Sequence, residues 1–269
     1  MSQAKVLVVT GHGTNCHVET AFVARQAGAD RVRVCFFSDL TSEKEDIRDY
    51  NLLIFPGGFL DGDDLGAAQA AALRWMYSST RSGGLLIRDL EEFYSQGGLI
   101  LGICNGFQLL VKLGLLPAMG RAYFQRQVSL THNDSSRFED RWVHLECNPG
   151  SPCVFTRGLD RLYLPVRHGE GKLVCRDEAM LGSLEENNLV ALKYIHPHSG
   201  IPTQEYPYNP NGSPLAIAGL TDPQGRILGL MPHPEAYNHP TNHPGWTRGE
   251  QDVLGTEILA RGIEHLRSC

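Results

Sequence analysis

The sequence has no Cys-x-x-Cys pair, no block of basic residues and no Gly-Lys followed by Ser or Thr. Nor does any apolar run approach the roughly 18 residues needed to span a membrane. Each absence removes a class of protein. The seven cysteines are scattered and odd in number, which points to reduced thiols in a cytoplasm rather than a disulfide frame or a zinc site. With 24 basic against 30 acidic side chains, the formal charge of −6 excludes nucleic acid as the main partner. Gly171-Lys172 runs on into Leu173, so there is no P-loop and no ATP site of that kind. The opening Met1-Ser2-Gln3-Ala4-Lys5 leads directly into a strand-like run, and no signal peptide is expected. Repeats and composition breaks are also missing, and 29 glycines and 15 prolines without a period exclude collagen-like and low-complexity chains. What remains is 269 residues, 42% of them hydrophobic, enough to bury a large core in a single domain over 1–269.

The pattern that is present is an alternation of short β-rich runs with helical stretches, as in a parallel sheet with crossover helices. Lys5–Thr10 is a continuous apolar run suited to a strand covered on both faces. A helix is expected over Asn15–Ala27 with Asn15 as N-cap, followed by strands at Arg31–Phe37 and Asn51–Phe55. Asp63 or Asp64 is expected to cap an Ala-rich helix reaching Tyr77. In Gly83–Gln96 the spacing of Leu86, Leu90, Phe93 and Tyr94 makes one helical face. Gly98–Ile103 reads as a buried strand, and Asn105–Leu113 as a helix stopped at Gly114. Beyond Pro117 the chain turns β-rich, with strand-like pieces at Trp142–Cys147, Leu162–His168, Leu189–Tyr194, Leu215–Leu220 and Arg226–Met231. An apolar stripe of Leu254, Ile258, Leu259, Ile263 and Leu266 predicts a closing helix over Arg248–Leu266.

The most informative segment is Gly102-Ile103-Cys104-Asn105-Gly106-Phe107-Gln108, at the junction of the buried strand and its helix. Glycines on both sides of Cys104 permit the sharp turn of a nucleophile elbow, with cysteine in place of serine. A thiolate at a helix N-terminus gains about 0.3–1 kcal/mol from the macrodipole, and up to ~2 when partly buried. One pKa unit is about 1.4 kcal/mol, so the dipole supplies roughly one unit and a nearby imidazole must supply the rest. The other six cysteines read as buried structural thiols.

The base for that nucleophile is expected in Met231-Pro232-His233-Pro234-Glu235, which follows another strand-like run. Two prolines stiffen the loop around His233, and Glu235 is close enough to orient the ring, completing a Cys–His–Glu triad. His239 and His243 lie in the same stretch, but its prolines prevent one helical ligand face. No metal is assigned, and both histidines are expected in solvated loops. Pro56-Gly57-Gly58-Phe59 closes the third strand and offers backbone N–H groups to a developing oxyanion. Gly11-His12-Gly13-Thr14-Asn15-Cys16 begins like a dinucleotide fingerprint, but Cys16 occupies the place of its third glycine.

With these segments in this order, the sequence resembles the triad (class I) glutamine amidotransferases. Gly13–Cys16, Ser136–Trp142, His168-Gly169-Glu170-Gly171, Asn209–Ser213 and Gly225–Glu235 make it similar, more narrowly, to the glutaminase subunits of phosphoribosylformylglycinamidine synthase. The resemblance implies an α/β, flavodoxin-like fold: a mostly parallel central sheet, helices on both faces and a β-rich second half. It implies that Cys104 attacks the side-chain amide of L-glutamine, giving a thioester and ammonia. His233 would serve as acid and base, held by Glu235. Backbone N–H groups of Gly58, Phe59 and Asn105 would hold the oxyanion, and Gln108 would shape the glutamine pocket. The partners implied are a synthetase subunit and a small accessory subunit. ATP and Mg²⁺ would act on the synthetase, aminating formylglycinamide ribonucleotide, with no cofactor on this chain.

One segment departs from the resemblance. Family members commonly continue Ser-Tyr-Gly-Asp-Tyr-Leu-Arg-Ala-Gly after the Pro-Gly-Gly-Phe turn, whereas this chain has Leu60–Ala68 without the aromatics or the arginine. Tyr77–Gly97 reads as additional length. A stand-alone thiol hydrolase or peptidase on a related scaffold would share the elbow but would not need Asn209–Ser213 or Ser136–Trp142. A purely regulatory subunit would not need the triad.

Overall fold

The structure is a computed structural model that describes residues 3–268. A nine-stranded sheet organises it. Its first strands are β1 (Lys5–Thr10), β2 (Arg31–Phe36), β3 (Leu52–Phe55) and β4 (Leu99–Ile103). Helix α1 (His17–Gln26) joins β1 to β2, the short α2 (Phe37–Thr41) follows β2, and α3 (Gln69–Tyr77) and α4 (Leu86–Ser95) lie between β3 and β4. Helix α5 (Asn105–Lys112) leaves β4. The second half holds β5 (Val128–Thr131), β6 (Glu139–Cys147), β7 (Arg161–His168), β8 (Lys172–Cys175), α6 (Glu178–Glu186), β9 (Val190–Tyr194), β10 (Ile217–Thr221), β11 (Ile227–Leu230) and α7 (Thr256–Ser268).

The strand order is β2-β1-β3-β4-β11-β10-β9-β6-β7. Neighbours are parallel as far as β11 and antiparallel from there on. The chain adds β2 on one side of β1, and β3 and β4 on the other. Right-handed crossovers therefore place α1 on one face and α3–α5 on the opposite one. Helix α7 packs beside α1. Double coverage explains the unbroken apolar runs: β3, β4 and β11 are buried at every residue. No helix among the described residues is long and apolar enough to cross a membrane.

Several local expectations are corrected. Helix α1 is capped at Cys16, not Asn15, whose side chain accepts from the Cys16 thiol at 3.1 Å. Neither Asp63 nor Asp64 caps α3, which starts after Ala68 in a left-handed conformation; Asp63 is drawn instead to Asn105. Helix α7 begins at Thr256 rather than Arg248, because Gly249 turns left-handed and Gly255 lies against Pro234. A Cβ at Gly255 would sit 2.1 Å from the Pro234 carbonyl oxygen. The stripe on α4 is confirmed, with Leu86, Leu90, Phe93 and Tyr94 all buried. The two-stranded sheet β5–β8 and the helices α2 and α6 are additional to the expected elements. The six described cysteines are unpaired.

Candidate active site

Parallel strands deliver their carboxyl ends to one edge, and order reversal around β1 opens a crevice there. The loops after β1, β3, β4 and β11 all meet at this edge, so Cys16, Gly58, Cys104 and His233 come from four strand ends. Cys104 sits between β4 and α5 with φ 50° and ψ −104°, a conformation that L-residues rarely adopt and that costs on the order of 1–3 kcal/mol. The elbow is held from outside: Cys104 N–H donates to the Leu230 carbonyl at 2.8 Å, and its thiol lies 3.5 Å from the Arg167 carbonyl oxygen. A Cβ on Gly106 would come within 1.9 Å of the Phe55 carbonyl oxygen, and one on Gly102 within 2.7 Å of the Gly106 carbonyl oxygen. These two glycines let α5 start flush against β3 and β4.

Strand β11 lies beside β4, with Leu230 opposite Ile103. His233 follows, its N–H bound to the Pro165 carbonyl at 2.8 Å, and Glu235 sits in the next turn, Pro234–Ala236. The two side chains are 2% and 1% exposed, and His233 Nδ1 is 2.6 Å from Glu235 Oε1. Burial opposes a charged imidazole. The Glu235 carboxylate, followed by Cys104, outweighs it and holds the His233 pKa well above its usual 6.5. Nδ1 is thereby committed to Glu235, while Nε2 is buried with no hydrogen-bond partner, leaving it for the nucleophile and substrate.

This arrangement carries a pH signature. A raised native pKa stabilises the fold fully below about 6.5, and the contribution disappears as pH rises through the native value. Glu235→Gln should therefore be about 1.5–3 kcal/mol less stable than the parent near pH 6. In urea titrations that gap should narrow steadily toward pH 10. A gap that widens with pH would contradict the ion pair.

The expected oxyanion donors divide. Phe59 N–H is already donated to the Gly13 carbonyl at 2.8 Å, so Phe59 is corrected as a donor in this conformation. Among the described residues, the N–H groups of Gly58 and Asn105 have no protein acceptor. The Gly57 carbonyl accepts from Asn15 and Cys16, which fixes the peptide whose N–H belongs to Gly58. Asn105 and Gln108 brace the surroundings. Asn105 accepts from Leu60 N–H at 3.0 Å and donates to Asp63 and to Gln108, each at 2.9 Å. Gln108 donates to the Glu170 carbonyl at 2.6 Å. The divergent Leu60–Ala68 loop is thus tied to the elbow through Asn105, and Arg74 secures it at Asp61, 2.7 Å away.

The segments from the second half form the opposite wall. Asn133 donates to the Arg137 and His168 carbonyls, while its oxygen meets His168 Nδ1 and Gly171 N–H. Ser213 accepts from Leu173 N–H, and Asn209 closes the turn onto the Ser213 carbonyl. Burial pushes the His168 pKa down to about 3, so this imidazole is neutral. A cleft of about 310 Å³ opens to solvent between Asn15, Cys16, Phe59, Phe138 and Arg167, with His233 in its lining.

Two histidine expectations part ways here. His239 is exposed and bonded to Thr241, as a loop residue should be. His243 is not solvated: it is 4% exposed, packed at tilted angles among the rings of Trp142, Tyr163 and Tyr237, with Nε2 3.1 Å from Asp252. Sequence reasoning missed Cys16, whose sulfur lies 3.9 Å from His233 Nδ1 across 217 positions. Its signal, a cysteine standing where a glycine would complete a fingerprint, carries no information about that distance.

A family profile described as a CobB/CobQ-like glutamine amidotransferase domain matches residues 3–261. A phosphoribosylformylglycinamidine synthase subunit PurQ of Dehalococcoides mccartyi is 42% identical over 269 residues, covering 99% of both chains. The chain belongs to the PurQ family of glutamine amidotransferases. A PurQ of Methanococcus maripaludis strain C7 is also 42% identical, over 97% of this chain and 92% of that one. Among solved structures, PurLQS from Thermotoga maritima matches this PurQ-family chain with a TM-score of 0.71 and 25% identity, over 99% of this chain and 100% of that one. A second Thermotoga maritima structure, a glutamine amidotransferase, shares the fold at a TM-score of 0.56 and 15% identity, covering all of both chains.

Proposed function

We propose that the chain is the glutaminase subunit of phosphoribosylformylglycinamidine synthase, hydrolysing L-glutamine and passing the ammonia to a synthetase subunit. The observation that carries this reading is the meeting of the Cys104 elbow with the buried His233–Glu235 pair at one sheet edge. Full-length relatives with that name support it.

In this mechanism the Cys104 sulfur attacks the side-chain amide carbon of glutamine, and the N–H groups of Gly58 and Asn105 receive the oxyanion. His233 gives a proton from Nε2 to the departing nitrogen, releasing ammonia and leaving a γ-glutamyl thioester. The neutral imidazole then takes a proton from water, which attacks the thioester; glutamate leaves and the Cys104 sulfur is restored. Glu235 keeps Nδ1 protonated and the ring aligned throughout. Gln108 shapes the pocket by holding the 168–171 loop in place.

The rest of the reaction belongs to partners. A synthetase with ATP and Mg²⁺ would activate formylglycinamide ribonucleotide for amination, assisted by a small accessory subunit, with no cofactor on this chain. The full-length likeness to PurLQS of Thermotoga maritima supports a multi-subunit assembly. Unpaired cysteines are in keeping with the cytoplasm. A diazo-ketone analogue of glutamine should label Cys104 alone, read as a single modified peptide by mass mapping in the presence of the synthetase. Unmodified Cys104 in the folded, assembled complex would refute the reading.

A further inference from the structure

Cys16 Sγ, His233 Nδ1 and the Glu235 carboxylate all lie within 4.8 Å of one another. The thioester route uses Cys104, His233 and Glu235, so it leaves Cys16, on the Nδ1 side of the same ring, unexplained. We infer that these three groups form an inhibitory zinc site that switches off glutamine hydrolysis by seizing the catalytic imidazole at Nδ1.

The donor set suits the ion. One thiolate, one imidazole and one carboxylate are the ligand types Zn²⁺ accepts, at about 2.3 Å for sulfur and about 2.0–2.2 Å for nitrogen and oxygen. Tetrahedral bonds of that length separate ligand atoms by roughly 3.3–3.8 Å. Sγ to Nδ1 is already 3.9 Å, the 2.6 Å gap between Nδ1 and Oε1 must widen, and the sulfur and the carboxylate start within 4.8 Å of each other. A second carboxylate oxygen is at hand: Glu235 is 1% exposed, yet its Oε2 is buried with no hydrogen-bond partner. That is an uncommon state for a native carboxylate, and a cation is one of the few partners that resolve it. The site is also reachable. Cys16 is half-buried and lines the open cleft beside Asn15 and Phe59, leaving the fourth position for water.

The position of the backbone strengthens the case. Cys16 N–H is bound to the Gly57 carbonyl at 3.2 Å, and a Cβ at Gly57 would touch both His233 Cε1, at 2.6 Å, and Cys16 Sγ, at 3.4 Å. The sulfur and the ring are therefore held in one compact unit before any ion arrives.

Binding would release the thiol proton of Cys16 and the Nδ1 proton of His233 to solvent. The ring then carries its remaining proton on Nε2. That nitrogen can accept no proton from water, and giving one up would create a costly imidazolate. Acid–base cycling stops, while ammonia-dependent synthesis on the partner is untouched. The inhibitory consequence rests on the proposed glutaminase reading; the metal site does not.

Co²⁺ serves as the optical probe for the site and Zn²⁺ as the inhibitor, both added to the full chain. The Cys104→Ala variant should bind one Co²⁺ with a thiolate-to-cobalt absorption band in the near ultraviolet. Cys16→Ser should lose that band, and should also lose the zinc sensitivity of glutamine hydrolysis, whatever its rate without zinc. Glu235→Gln should weaken binding, reporting the carboxylate independently of the sulfur. A band that survives in Cys16→Ser but vanishes in Cys104→Ala would overturn the inference, placing the ion on the nucleophile. So would a parent protein that binds no Co²⁺ at micromolar concentration. A metal band with no effect of zinc on hydrolysis would sink the inhibitory role, leaving the glutaminase reading standing.

Discussion

Replacing Cys104 with alanine should lower glutamine-dependent synthesis in the assembled complex by about 10⁴-fold or more, while synthesis from added ammonia continues at the parental rate. The size of the effect follows from the chemistry. The remaining oxyanion donors can still bind the amide, but without sulfur there is no thioester, and water must attack an unactivated amide. Cys104→Ala also relieves nothing in the backbone, since alanine meets the same left-handed φ of 50°. Parallel steady-state assays with glutamine and with ammonium chloride check the expectation. Equal loss with both nitrogen sources would mean that the substitution damages docking rather than hydrolysis.

The second large effect concerns the fold beneath the chemistry. Gly106→Ala should destabilise the chain by about 4 kcal/mol or more, roughly 10 °C in melting temperature, with glutamine hydrolysis lost in step. The added methyl would overlap the Phe55 carbonyl oxygen, which is itself part of β3, an interior strand paired on both sides. Backbone cannot rotate away as a side chain can, so α5 must shift and carry Asn105 and Gln108 with it. Calorimetry compares this variant with Gly120→Ala, where the added carbon meets nothing within 4 Å although φ is +66°. Equal melting temperatures for the two would show that close approach at the elbow is unimportant.

What the sequence made legible is whatever local chemistry decides. Continuous apolar runs at Lys5–Thr10 and Gly98–Ile103 suit doubly covered strands, and the glycines around Cys104 announce a bend whose reason is steric. His233 was readable because two prolines and a carboxylate stand beside it. Asp63 misled because an acid ahead of an alanine run looks like a helix cap; Asn105, 42 positions away, offered a better partner. His243 misled for a similar reason. Nothing in a proline-rich loop foretells that Trp142, Tyr163 and Tyr237 will close around it. The Phe59 amide shows the finest grain of the difficulty: the turn was identified, but whether one N–H faces substrate or the Gly13 carbonyl is a matter of a single peptide's orientation. Long-range pairings, Cys16 with His233 above all, lie outside what spacing can express.

The adjacency of β4 and β11 has a bearing on how the protein is made. A ribosome delivers the Cys104 nucleophile 129 residues ahead of the His233 imidazole. Until β11 pairs with β4, the growing chain carries the Cys104 thiol with neither its activating imidazole nor a proton relay. The order of the elements along the chain thus makes a complete triad a property of the fully paired sheet and of no shorter intermediate.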